Sequence, residues 1–89
     1  MGMVTVRYWA AAKQVAGLAE EKVSADTLAE ALAAASTARG PAQAVDAFDA
    51  VLARSSFLVD GAPVGSRALD SVHLPDAAVI EVLPPFAGG

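Results

Sequence analysis

The residues of this chain best suited to chemistry are its last ones, and they would act through the backbone. Residues 83–89 read Leu-Pro-Pro-Phe-Ala-Gly-Gly. Gly89 bears the terminal carboxylate, and Gly88 precedes it with no Cβ. Such a pair fits a channel too narrow for any side chain, and it leaves the carboxylate open to a reagent held by another protein. Pro84 and Pro85 have no amide hydrogen, so they cannot extend a sheet ladder and must end the strand before them. Their fixed φ favours an extended, polyproline-like exit, and six residues beyond Leu83 reach roughly 20 Å. An aromatic side chain in such an exit, Phe86, reads as an anchor for a partner's pocket.

Other candidates for chemistry are few. His73 is the only histidine; it lies in a loop-like stretch and reads as a surface or packing residue. No serine sits in a nucleophile-elbow motif, no glycine cluster resembles a phosphate loop, and the acidic residues show no metal-ligand spacing. With no cysteine there is neither a thiolate site nor a disulfide, which fits a reducing compartment. The net charge is −4, from 10 acidic and 6 basic residues. That balance argues against nucleic acid and for a basic protein surface as partner. No stretch approaches the roughly 20 apolar residues of a membrane span. The opening MGMVTVRYW lacks the layout of a signal peptide, so a cytoplasmic location is expected. Met1 and Gly2 are given no role.

The elements that would carry this tail follow from periodicity. Residues 3–9 alternate, with Val4, Val6 and Tyr8 on one face and Thr5, Arg7 and Trp9 on the other, which predicts a strand. Residues 10–17 predict a short helix stopped by Gly17, and residues 20–24 a short second strand. Residues 27–38 predict the main helix: Thr27 and Glu30 form a capping box, and Leu28, Ala31, Leu32 and Ala35 share a face. A further helix follows over 41–52, with Pro41 in its first turn and Val45, Phe48 and Leu52 as its apolar stripe. Residues 56–60 predict a strand leading into an Asp60-Gly61 hairpin turn. Val64 is expected to begin a short edge strand after Pro63, residues 66–78 a loop with a turn at Pro75-Asp76, and residues 79–83 the last strand. The first and last strands have the strongest patterns and are expected at the sheet's centre. The whole predicts an α+β domain over residues 1–83, a mixed sheet packed on one main helix, and a flexible, protruding tail over 84–89. Sheet parity turns Trp9, Leu58 and Leu83 outward, an apolar patch near the tail with Arg7 and Glu81 as rim charges.

A strand, a Pro-Pro pair and a terminal Gly-Gly resemble the small subunit of molybdopterin synthase, the MoaD-like group of the ThiS/MoaD sulfur-carrier proteins, whose fold is the ubiquitin-like β-grasp. VTVRYWAAAKQVAG is similar to that family's first strand and short helix, SFLVDG to its internal strand and turn, and LPDAAVIEVLPPFAGG to its closing turn, strand and tail. Before the last strand the family often has an acidic-glycine turn, where this chain has Pro75-Asp76-Ala77. The resemblance implies that an E1-like (MoeB-like) adenylating enzyme uses ATP to activate the Gly89 carboxylate. Sulfur supplied by a sulfurtransferase then displaces AMP and leaves a thiocarboxylate. It further implies that the tail enters the large, MoaE-like synthase subunit and donates that sulfur to the molybdopterin precursor. Gly88 would give thin access, and Phe86, Leu83, Leu58, Trp9, Pro84 and Pro85 would bind the partner. The chain itself would hold no cofactor and no metal, and the catalytic groups would sit on the partners. Two other readings stand beside it: a carrier for thiazole (thiamine) or cysteine synthesis, with the same tail chemistry, and a ubiquitin-like modifier or binding module, which keeps the patch and either joins Gly89 to a lysine or dispenses with its chemistry.

Overall fold

The computed structural model describes residues 2–85. Strand β1 spans Gly2–Tyr8, helix α1 Ala10–Ala16, β2 Glu20–Ala25, α2 Leu28–Thr37, α3 Ala42–Leu52, β3 Ser56–Val59, β4 Ala62–Pro63 and β5 Val79–Leu83. The five strands form one mixed sheet in the order β2-β1-β5-β3-β4. β1 and β5 run parallel, with Val6 beside Ile80 and Tyr8 beside Val82; the other pairs are antiparallel. The most strongly patterned strands do sit in the interior of the sheet.

One face of the sheet is dry. Val4, Val6 and Tyr8 from β1, Ile80 and Val82 from β5, and Leu28, Ala31, Leu32 and Ala35 from α2 are all buried. The period-2 and period-3.6 stripes therefore meet across a single layer boundary, as an α+β arrangement requires. Phe48 and Val51 of α3 complete this core, and Phe48 meets Tyr8 edge to face at 5.7 Å. Helix ends follow their chemistry. The Thr27 hydroxyl accepts from the Glu30 amide at 3.2 Å, while Glu30 accepts from the Thr27 amide. Gly17 ends α1 at φ 81°, where its amide donates to the Lys13 carbonyl.

The Asp60-Gly61 turn closes a two-residue hairpin with both residues at positive φ, 49° and 84°, the pairing that matches strand twist. Asp60 also fixes the neighbouring strand: its amide donates to the Val79 carbonyl and its carboxylate accepts from the Val79 amide.

Four expectations shift. The edge strand is Ala62–Pro63 and ends where Val64 was expected to begin it; Val64 is instead buried and donates to the Phe57 carbonyl. Pro41 caps α3 from outside rather than occupying its first turn. The buried stripe of α3 is Phe48 and Val51, with Val45 and Leu52 half-buried. Gly2 has a place: it pairs with Ala25 at the start of β1, and a Cβ there would meet the Asp76 carboxylate at 2.8 Å. Within the loop of 66–78, residues Leu69–Ser71 form one turn of 3-10 helix. His73 is exposed and forms an isolated β-bridge with Thr27.

Candidate functional site

The end of β5 is the point from which the tail departs. Leu83 pairs with Ser56, the first residue of β3, so β5 ends where its antiparallel neighbour begins. On the other side, the Trp9 amide donates to the Val82 carbonyl at 3.3 Å. Pro84 follows buried and Pro85 exposed. Neither proline has an amide to offer, so the ladder stops there. Phe86, Gly88 and Gly89 lie outside the described residues.

The sheet face away from the helices surrounds this exit. β1 contributes Thr5 and Arg7, and Trp9, extended at φ −120° and ψ 148°, continues the same parity. β5 contributes Val79, Glu81 and Leu83, and β3 contributes Leu58, which lies opposite Glu81. Trp9 is 44% exposed and Met3 51%, while Leu58 and Leu83 are half-buried. The structure thus brings Trp9, Leu58 and Leu83 onto the open face, with Leu83 next to the exit. Of the five described residues assigned to partner binding (Trp9, Leu58, Leu83, Pro84 and Pro85), Pro84 is the buried one.

The two rim charges do not pair with each other, although Arg7 and Glu81 are neighbours in the parallel register. Arg7 Nε turns to Glu20 Oε1 on β2, at 3.3 Å. Glu81 Oε1 accepts from the Trp9 indole Nε1 at 3.2 Å. The indole is thereby held over the open face while its ring stays available to a partner.

Behind β1, on the helix side, lies a polar cluster that sequence reasoning did not assemble. The Arg39 guanidinium, 5% exposed as a side chain, forms a two-pronged pair with the Glu21 carboxylate, one prong at 2.6 Å. It also donates to the Ala16 carbonyl at the end of α1 and, through Nε, to the Ala35 carbonyl of α2 at 3.1 Å. Its flat face lies 5.1 Å from the Phe48 ring centre and 5.8 Å from that of Tyr8. The Tyr8 hydroxyl donates to Glu21. Burial pushes the Tyr8 phenol far above its usual range, and the Glu21 hydrogen bond and charge push the same way, against a smaller pull from Arg39. Every polar atom here is satisfied, so the cluster ties α1, α2, α3, β1 and β2 together without an orphaned group. It is a structural clamp: the guanidinium and the carboxylate spend their charges on each other and on partners inside the fold.

A groove of about 460 Å³ runs between α2 and α3, floored by Leu32, Leu52, Phe57 and Leu69. A hydrogen bond from Ser36 to Asp49, 2.7 Å, crosses it. Asp49 is its one titratable lining residue, so the groove holds no acid–base pair. Among the described residues there is no cluster of metal-ligating side chains, and no helix is long and apolar enough to cross a membrane.

No protein-family model and no curated protein matches the chain. Solved structures do. Small archaeal modifier protein 1 from Methanosarcina acetivorans superposes with a TM-score of 0.78 at 21% identity, covering 100% of this chain and 98% of that one. A putative molybdopterin converting factor subunit 1 from Pyrococcus furiosus gives 0.73 at 22% identity, covering 97% and 100%. Subunit 1 or 2 in a complex of the two subunits of the molybdopterin-converting factor from Helicobacter pylori gives 0.66 at 23% identity, covering 98% and 99%. At such identities the likeness establishes the fold, which is the ubiquitin-like β-grasp.

Proposed function

We propose that this chain is a β-grasp sulfur carrier whose working group is the Gly89 carboxylate. The observation that carries the reading is the placement of β5. An interior strand ends on two prolines beside an apolar, indole-bearing patch, so the chain reaches Pro85 next to a surface suited to a partner. Adenylation converts the carboxylate, a poor electrophile, into a mixed anhydride with AMP as leaving group. A sulfur nucleophile then forms the new carbon–sulfur bond as the AMP oxygen departs. Gly88 and Gly89 give the narrow approach this requires.

Within that reading, the pathway we favour is molybdenum cofactor synthesis. Two of the similar structures are molybdopterin converting factor proteins, and one of these is a complex of subunits 1 and 2. A MoaE-like large subunit, a MoeB-like adenylating enzyme and a sulfurtransferase are the partners it implies. The likeness to small archaeal modifier protein 1 supports a second reading, in which activated Gly89 is joined to a lysine amine.

Mass spectrometry after incubation with a cognate adenylating enzyme, ATP and a sulfur source tests the proposal. A sulfur carrier gains the mass of one oxygen exchanged for sulfur, confined to the C-terminal peptide, and a chain lacking Gly89 does not. An unchanged mass with intact enzyme refutes the carrier reading, and an isopeptide-linked product identifies a modifier. Phe86→Ala tests the aromatic anchor through affinity for the large subunit.

A further inference from the structure

On the open face the Glu81 carboxylate lies among the apolar residues Trp9, Leu58 and Leu83. Glu81 sits between Arg7 of β1 and Leu58 of β3 in the sheet register, with Leu83 two residues along its own strand. Among the described residues its one side-chain partner is the Trp9 indole, which occupies Oε1. Arg7, the nearest cation in register, is already paired with Glu20. Oε2 is therefore left to water. A partner that covers Trp9, Leu58 and Leu83 must also cover this oxygen, and an ionised carboxylate loses heavily when it is desolvated without a counter-charge.

We infer that the partner surface seated on the open face presents an arginine to Glu81, and that this pair selects which proteins the chain engages. The inference rests on the carrier reading above. A guanidinium fits this spot better than an ammonium for a geometric reason. It can donate to Oε2 in the carboxylate plane while its flat face lies over the adjoining indole, which the hydrogen bond to Oε1 already holds in position. A purely apolar partner, or an acidic one, would strand the carboxylate, so Glu81 works by exclusion as well as by attraction.

Titration calorimetry of the full chain with the adenylating enzyme that activates it tests this, with thiocarboxylate formation followed in parallel. Glu81→Gln keeps an acceptor for Trp9 but removes the charge; it is expected to weaken binding by about tenfold or more and to flatten its salt dependence. Glu81→Arg is expected to weaken it further. Trp9→Phe, which removes the indole N–H but keeps an aromatic ring, is expected to lose less than Glu81→Gln. Thermal melts show whether each variant folds. Equal or tighter binding by Glu81→Gln overturns the inference while leaving the carrier reading intact, since activation of the wild-type chain is measured in the same experiment. A wild-type chain that is neither bound nor activated overturns both.

Discussion

Replacing Arg39 by alanine should cost this protein a large part of its stability. The guanidinium is 95% buried and pairs with Glu21, whose side chain is 15% exposed. It also satisfies the last carbonyls of α1 and α2 and lies against two rings. Truncation leaves the Glu21 carboxylate buried with only the Tyr8 hydroxyl to stabilise it, and removing one member of such a pair costs about 3–5 kcal/mol. A chain of 89 residues is stable by about 4–13 kcal/mol at the usual 0.05–0.15 kcal/mol per residue. Arg39→Ala is thus expected to take a quarter or more of the total, and to lower Tm by at least about 12 °C at 4 °C or more per kcal/mol. Urea unfolding followed by far-ultraviolet circular dichroism measures it, as a lower midpoint with an unchanged slope. Replacing both charges with apolar residues, Glu21→Leu with Arg39→Met, should recover more than half of the loss, because the stranded charge is then gone. A loss below about 1 kcal/mol for Arg39→Ala would refute the argument, since it would place the pair in the range of exposed ion pairs.

Three other outcomes can be checked with simple variants. Tyr8 is the only tyrosine, so the tyrosinate absorbance of the folded protein should stay absent well above the ordinary phenol pKa of 10.0. Because its folded-state pKa is raised, the native state holds a proton that the unfolded state releases; stability should be intact below pH 10 and fall as pH rises beyond it, by up to about 1.4 kcal/mol per pH unit, and Tyr8→Phe should remove that dependence. Ala77 holds φ 65° with its amide bonded to the Met3 carbonyl, so Ala77→Gly should stabilise the fold by about 1 kcal/mol in urea unfolding. Trp9→Ala should weaken partner binding while shifting stability by under about 1 kcal/mol, because the indole is nearly half exposed.

Most of the layer architecture was legible because it rests on periodicity. The alternation of 3–9 and the stripe of α2 each left one way to bury the apolar side chains, and the parity that hid Val6 and Ile80 also exposed Trp9, Leu58 and Leu83. The Thr27–Glu30 box and the Asp60-Gly61 turn were equally visible, since both are local chemistry. What escaped was non-local. Nothing about Arg39, near a helix C-terminus, announces a partner 18 positions earlier; the pair exists because α2 crosses beside β2. Arg7 and Glu81 were correctly placed on one face, yet Arg7 prefers Glu20, directly opposite it across the antiparallel ladder. The start of β1 was missed because Gly2 has no side chain to show a pattern and is drawn in by the Ala25 pairing. The residues proposed to carry the chemistry, Gly88 and Gly89, and the anchor Phe86, stand on sequence and resemblance alone.

The central place of β5 has a consequence for how the molecule comes into being. Its ladder with β1 joins Thr5 to Val79, positions 74 residues apart in a chain of 89. So distant a pairing carries the entropy cost of closing a long loop, which slows its formation. A molecule that has not yet closed, or that has been cut before Val79, lacks the middle of its sheet and the stretch running to Gly89 together. The open face beside Pro85 is thus complete only once the sheet has closed, so a partner that reads that face would pass over immature copies without any separate inspection.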